Sequence, residues 1–518
     1  MPFALALGLV GVTGFLAVSL EILWYRAFAF ASGVAAATGP LLAAASLVGF
    51  AEGAWFARSV CRRFFRTNRT VQTSAACVAV GSVVGVLVIP LLARIVGFTE
   101  WAWALPFVAL ACAGFGAAVV LMAHLSIDPD QFAGALLSRL CAAALIGATS
   151  ASLLTGIVLT QEMQTAAIAQ CLAALGIVGA LAVASRATRG WDRLVWSGAL
   201  SSVGVVVIAL SGVLHASIYE RMLYKDRYRG ERLDGLVESR RGVVGVAPNR
   251  HIVENGIDDG LAAIDVDDAD SRLIRAFAIP AMSAAPRRVL VIGLGTGAWP
   301  QIVAGLPSVH DITVVDANPD YAGILSRSDD AAPLLRNPHV RIVVDDPRRW
   351  LSEHPAEMFD VVISHADLNW RAYSSHLLSV EFMRLVKSHL ESNGLFYFNT
   401  ADAPSAYRAA FEVYPNGLRF LNFAAVSAAP VRFDAARWHR ALAGYRLNGV
   451  ALFDTTTKRG RARVAAFLAT PTDANGWFGL PALESRASML PRLRDVPPIT
   501  DDNMGGEWRV GLRAEIWY

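Results

Sequence analysis

The chain has 518 residues, of which 54% are apolar and only 17% charged, with a formal net charge of +3. That length excludes a small single domain, and a near-neutral balance gives no electrostatic case for a nucleic-acid partner. The five cysteines, Cys61, Cys77, Cys112, Cys141 and Cys171, show no paired or Cys/His ligand spacing. They read as small apolar fillers, so neither a disulfide framework nor a metal site is expected.

Nearly all of the apolar excess lies before residue 214. Runs near 3–23, 37–57, 72–94, 102–124, 133–159, 162–184 and 194–214 approach the roughly 20 residues that a helix needs to cross a bilayer. The first lacks a basic leader and runs on without a break, unlike a cleavable signal peptide. Small residues cluster in Ala43-Ala44-Ala45-Ser46 and Gly147-Ala148-Thr149-Ser150, where they let helices pack closely in lipid. Glu21 is expected near the interface, paired with a nearby arginine, and Glu52 raises the same question. The absence of a ladder of buried charges argues against an ion pump.

Orientation is open at this level. Arg58, Arg62, Arg63, Arg66 and Arg69 mark one connection as cytoplasmic, and 186–193 is basic too. Seven spans would then carry the rest of the chain outside. Yet Arg221, Lys225, Arg227, Arg229 and Arg232 follow the last span and favour the opposite side.

From Tyr219 the composition turns polar. Glu254-Asn255-Gly256-Ile257-Asp258-Asp259-Gly260 carries a strong hairpin signal, so a small antiparallel unit is expected over 234–265. A helix is expected from Ala269 to Ser283. Then Val289 to Ile292 form a buried strand running into Gly293-Leu294-Gly295-Thr296-Gly297, a tight turn that lets a ligand approach the backbone. Ile312 to Asp316 is a second strand ending in an acid, where ribose hydroxyls are commonly bound. Val340 to Val344 followed by Asp345-Asp346, and Phe359 to Ile363 followed by His365 and Asp367, complete four strand ends with polar residues just beyond. That pattern describes a nucleoside pocket on a doubly wound sheet. Strand-like pieces are also expected at Gly449 to Phe453 and Val464 to Ala469. The organisation is therefore a helical membrane domain over 1–214, a linker and small β unit over 215–275, and a Rossmann-like domain over 276–518.

Several ordered segments resemble the membrane-fused spermidine synthase-like proteins, relatives of the polyamine aminopropyltransferases. They are Leu20-Glu21-Ile22-Leu23-Trp24-Tyr25-Arg26, Val237-Glu238-Ser239 through Gly242, the glycine turn, His376-Leu377-Leu378-Ser379-Val380-Glu381-Phe382, and Ile499-Thr500-Asp501-Asp502-Asn503. The resemblance implies aminopropyl transfer, in which an amine attacks the methylene beside the sulfonium of decarboxylated S-adenosylmethionine and methylthioadenosine leaves. It implies that Gly293, Gly295, Gly297, Asp316 and Asp346 bind the adenosyl group, and it brings His365 and Asp367 to the place of the catalytic acid. The amine side departs from the pattern: Thr296 stands where the family turn often has aspartate, and Leu273-Ile274-Arg275 stands where Tyr-His-Glu is common. Two readings stay open, a bilayer-anchored transferase and a non-catalytic scaffold or accessory subunit of a membrane complex. A homo-oligomer is a further expectation of the resemblance. A transporter is weaker, because no internal repeat is evident.

Overall fold

The computed structural model describes residues 1–64, 67–186, 190–266, 273–365, 371–400, 403–473, 480–503 and 507. The chain divides into two compact units. Helices make the first, together with Leu236–Val243; most of the remainder makes the second.

Among the described residues, seven helices in the first unit are long and apolar enough to cross a bilayer: α1 Phe3–Ser32, α2 Thr38–Arg63, α3 Asn68–Ile95, α4 Trp101–Ser126, α5 Ala133–Glu162, α6 Thr165–Ala184 and α7 Gly190–Leu214. Each matches one of the seven apolar runs; most extend past it where flanking residues keep helical pairing, whereas α6 begins three residues inside its run. Short connections force successive helices to run antiparallel. Close backbone approach explains the small residues. A Cβ on Gly147 would collide with the carbonyl of Gly11 in α1, and one on Gly53 with Ala113 in α4. In α5 the helix widens to π geometry over Leu154–Leu159, and the Thr155 hydroxyl there meets that of Ser19 in α1 at 2.8 Å. A short helix, α8 (Ile218–Tyr224), follows the last long one and buries Tyr219, Met222 and Leu223.

Arg26 corrects one expectation. Its partner is not Glu21. Nη1 lies 3.3 Å from Glu238 Oε2, and both side chains are buried. Nη1 also donates to Thr165 Oγ1, and Nη2 to the carbonyls of Thr160 and Ser239 at 3.1 and 2.7 Å. Glu238 accepts further bonds from the Thr165 N–H and the Tyr219 hydroxyl. A guanidinium needs several acceptors once water is removed, and a single glutamate within its own span cannot supply them. Trp24, two residues earlier, donates its indole N–H to the Gly85 carbonyl at 2.7 Å.

Four strands, β1 Asp234–Ser239, β2 Gly242–Val246, β3 His251–Glu254 and β4 Ile257–Leu261, make a sheet in sequential order. The β3–β4 pairings are antiparallel. The β3–β4 turn has positive φ at both Asn255 and Gly256, the backbone that Asn-Gly favours.

The main sheet has eight strands: β5 Arg288–Ile292, β6 Asp311–Asp316, β7 Val340–Val344, β8 Phe359–Ser364, β9 Leu390–Asn399, β10 Asn416–Phe420, β11 Phe423–Ser427 and β14 Leu483–Ser485. Their order is β14-β10-β11-β9-β8-β5-β6-β7. The five from β9 to β7 are parallel, and the other three are added antiparallel. Chain order reverses between β5 and β8, which makes the crevice beyond their C-terminal ends the switch point where ligands bind in such sheets. The core under one face is a continuous apolar cluster that includes Leu290, Trp350, Phe359, Phe382, Phe396 and Tyr414.

Two other expectations change. The predicted helix 269–283 is, over its described part, two short turns, Ile274–Phe277 and Ile279–Met282; Pro280 suits a helix's first turn but not its interior. Val464 to Ala469 belongs to a helix, Lys458–Ala469, rather than a strand. Thr457 caps it by accepting from the Gly460 N–H, and Val464 and Phe467, three residues apart, face inward. The strand expected at Gly449 to Phe453 is reduced to Val450–Ala451 (β13), paired with Arg446–Leu447 (β12).

Candidate functional site

Four parallel strands end together at the switch point. After β5, the turn has positive φ at Gly293, Gly295 and Gly297, so the three glycines meet a backbone demand that other residues rarely satisfy. Space is limiting as well: a Cβ on Gly295 would stand 3.2 Å from His365 Cε1, and one on Gly297 3.1 Å from Leu325 Cδ1. Helix α9 (Ala298–Ala304) starts straight from the turn.

Asp316, the last residue of β6, lies buried beside this turn. Oδ2 accepts from the Leu294 N–H at 2.6 Å, and Oδ1 from the Asn318 N–H at 2.7 Å. Burial pushes its carboxyl up to about 6, against the pull of those backbone donors. A carboxylate offers about four lone-pair directions, so acceptor capacity is left beyond these backbone donors.

Acids from the small sheet join it. Glu254 at the end of β3 accepts from Asn318 Nδ2 at 2.9 Å and pairs with Arg371 at 3.3 Å. Asp259 in β4 accepts from the Tyr321 hydroxyl. Burial, then the neighbouring Glu254, push Asp259 up to about 7, with Arg371 acting the other way. Burial and the same acids raise the Tyr321 hydroxyl, which keeps it a donor. Glu254 and Asp259 read as turn chemistry in the sequence. A hairpin that folds back over the glycine turn makes them site residues, and only its position in the fold shows this.

His365, just past β8, faces the turn. Its Nε2 is 3.0 Å from the Gly293 carbonyl, which can only accept, so Nε2 carries the proton. Burial drops the imidazole to about 4, so it is neutral near pH 7. The ring stacks on Trp299 of α9 with centroids 5.2 Å apart and planes within 4°. Trp299 stacks in turn on Phe423 at 5.2 Å. Arg275 closes the row, its guanidinium 5.9 Å from the Phe423 centroid and its Nε donating to Asn422. A single His365-Trp299-Phe423-Arg275 row therefore joins His365, at the place the resemblance gives the catalytic acid, to Arg275, where the sequence departs from the aminopropyltransferase pattern. Trp299 lies two residues past the glycine turn, and nothing in the local sequence points to its stacking partners.

Asp346 follows β7 and caps α10 (Pro347–Glu353), accepting from the Arg349 N–H at 2.9 Å. The His376 ring, 3.8 Å away, holds its carboxyl down to about 2, with the backbone donor helping. Arg348 in α10 meets Asp501 through two N–H···O contacts, and the Asp501 N–H donates to Glu381 in α11 (Val380–Ser388) at 3.1 Å. Two segments 120 residues apart in sequence, His376–Phe382 and Ile499–Asn503, thus meet beside Asp346. Glu507 is buried under 371–377, accepting from the N–H groups of Tyr373 and Ser375 and from the Ser375 hydroxyl. Asp367 lies outside the described residues. Thr296 is buried, 3.4 Å from the Ala298 N–H.

No family model matches the chain. It is 30% identical over 145 residues to polyamine aminopropyltransferase 2 of Ralstonia nicotianae, covering 26% of this chain and 28% of that protein. It is 29% identical over 141 residues to the polyamine aminopropyltransferase of Desulforudis audaxviator, 25% of this chain and 50% of that one. Against the Mycobacterium tuberculosis polyamine aminopropyltransferase the identity is 28% over 198 residues, 37% of this chain and 36% of that one. The matched part thus spans between about a quarter and a half of these relatives. Among solved structures, a spermidine synthase in complex with the transition state analogue AdoDATO aligns with 47% of this chain and 87% of its own, at 17% identity and a TM-score of 0.36. Spermidine synthase from Thermotoga maritima aligns with 47% and 86%, at 18% identity and a TM-score of 0.35. Over part of its length the chain is weakly similar to polyamine aminopropyltransferases, and it joins a Rossmann-like α/β domain to seven N-terminal apolar helices.

Proposed function

We propose that the α/β half is an adenosyl-nucleoside-binding domain of spermidine synthase-like type, anchored to a bilayer by the seven helices. Its ligand is decarboxylated S-adenosylmethionine or a related adenosyl thioether such as methylthioadenosine. One observation carries this reading: Asp316 is fixed at the switch point by the Leu294 and Asn318 N–H groups, with acceptor capacity left for a ribose. Gly293, Gly295 and Gly297 let the nucleoside approach the turn, and Asp346 lies beyond the neighbouring strand, on the adenine side that the resemblance implies.

The amine side is altered. In aminopropyl transfer the amine nitrogen bonds to the methylene beside the sulfonium, the carbon–sulfur bond breaks, and a proton leaves the amine. The protein must orient the amine and accept that proton. His365 is a poor acceptor, because its conjugate acid sits at about 4 and its other nitrogen is committed to Gly293. Arg275 ends the aromatic row with a fixed positive charge, which repels a polyamine.

Transfer is a second reading, favoured by the carboxylates Glu254, Asp259 and Asp316, which outnumber Arg371 and attract a cation. On that reading Asp367 takes the proton.

Equilibrium dialysis of the purified full chain in detergent against labelled methylthioadenosine tests the first reading. Saturable retention, displaced by unlabelled nucleoside, is expected; retention that never saturates overturns it. Methylthioadenosine release from the decarboxylated donor plus a diamine, lost in Asp367→Asn, would establish transfer. Binding without release leaves a non-catalytic domain, suited to a scaffold or accessory role in a membrane complex.

A further inference from the structure

Helix direction in the first unit can be tied to side. The Met1 ammonium donates to the Leu125 carbonyl at 2.7 Å, so the start of α1 and the end of α4 share one end of the bundle. Arg26, near the other end of α1, gathers Thr160 from the end of α5, Thr165 from the start of α6, and Glu238 and Ser239 from the chain after α7. The chain therefore leaves its seventh helix at the end opposite Met1.

Charge divides along the same axis. The connections at the Met1 end include that between α2 and α3, with Arg58, Arg62, Arg63, Arg66 and Arg69, and that between α6 and α7, with Arg186, Arg189 and Arg193. At the Arg26 end the connections 33–37, 96–100 and 163–164 hold no lysine or arginine. Short loops rich in these residues stay in the cytoplasm, whereas long segments cross largely regardless of their charge. The basic stretch from Arg221 to Arg232 opens a segment of roughly 300 residues, beyond the reach of the short-loop rule. Part of it is also folded: α8 buries Tyr219, whose hydroxyl donates to Glu238, and Arg221 lies 4.6 Å from the Tyr228 ring centroid. The conflict that the sequence leaves open is decided by the three connections at the Arg26 end, none of which holds a lysine or arginine.

We infer that the α/β half is extracytoplasmic, with the Met1 end of the bundle in the cytoplasm. The consequence for the ligand rests on the nucleoside-binding reading. Decarboxylated S-adenosylmethionine carries a sulfonium and an ammonium and does not cross a bilayer unaided, because ions are costly to desolvate. A neutral adenosine thioether is then the ligand class that the site meets outside the cytoplasm.

The test uses full chains in a bacterial host, with the native cysteines replaced and one new cysteine in each. Ser392→Cys is exposed in β9, and Thr67→Cys is exposed in the connection between α2 and α3. Spheroplasts are treated with a membrane-impermeant maleimide before and after permeabilisation. Ser392→Cys is expected to label equally in both, and Thr67→Cys only after permeabilisation; the reverse pattern overturns the inference. Alkaline phosphatase fused after Tyr518 is expected to be active. An inactive phosphatase, with a fluorescent GFP fusion at the same place, also overturns it. Because neither readout depends on ligand, failure of the sidedness inference stays distinct from failure of the nucleoside reading.

Discussion

Asp316 Oδ2 accepts a hydrogen bond from the Leu294 N–H at 2.6 Å, so the acid at the end of β6 holds the glycine turn that follows β5. The carboxylate thus shapes the turn, and on the proposed reading its remaining lone pairs take the ribose. Asp316→Asn keeps the size but aims an amide donor at one of two backbone donors. It is expected to cost about 1–3 kcal/mol of stability, the range for a buried donor left unsatisfied. Denaturant midpoints of the detergent-solubilised chain measure this. An unchanged midpoint would mean that the Leu294 contact holds nothing in place.

Binding should depend on pH through the same residue. Ribose hydroxyls donate to the ionised form, so nucleoside affinity is expected to fall as pH drops through about 6. Stability has the opposite sign for this group. Between the unfolded carboxyl value of about 3.9 and the folded value, the folded state binds more protons, and the contribution of Asp316 falls as pH rises. Affinity that is flat from pH 5 to pH 8 would separate the carboxylate from the ligand.

His365 acts in the other direction. Its folded value of about 4 lies below the unfolded histidine value of about 6.5, so the unfolded state binds more protons between the two. Acidification across that window costs stability. In His365→Gln, which cannot titrate there, that part of the loss should disappear from urea midpoints measured at pH 4 and pH 6.5. An identical slope in the variant and the parent would show that the ring is not buried as a neutral group.

The buried pair between Arg26 and Glu238 gives a prediction for the helical unit. Either Arg26→Met or Glu238→Gln leaves an uncompensated buried partner, at a cost of about 3–5 kcal/mol. The double variant should lose less than the sum of the two, which a double-mutant cycle on denaturant midpoints detects. Strict additivity would show that the two side chains do not interact.

Gly53 and Gly147 sit where another helix's backbone would meet a side chain. Gly147→Val is expected to cost about 1–3 kcal/mol through overpacking. Gly8→Val, at a position with open space around it, should be close to neutral by the same measurement.

Much of the fold was legible because period and punctuation agree. Apolar runs of bilayer length gave the seven helices. Four β-branched strands, each running into glycine, an acid or histidine, made most of the parallel core of the sheet legible. The signal failed where it was short. Val464 to Ala469 has strand-like composition, and only the Thr457 cap with inward-facing Val464 and Phe467 makes it a helix. Contacts across long sequence gaps were not legible. Nothing near Arg26 points to Glu238, 212 residues away. Nothing in the turn Glu254 to Gly260 says that its acids close over Asp316. The aromatic row from His365 to Arg275 draws on four separate segments, so no local pattern announces it.

The most direct measurement is calorimetric titration of the purified full chain with methylthioadenosine near pH 7.5, beside Asp316→Ala. Saturable micromolar binding, about −8 kcal/mol, is expected for the parent and is lost in the variant. A folded chain that gives no binding heat at several temperatures, or a variant that binds as tightly as the parent, would contradict it.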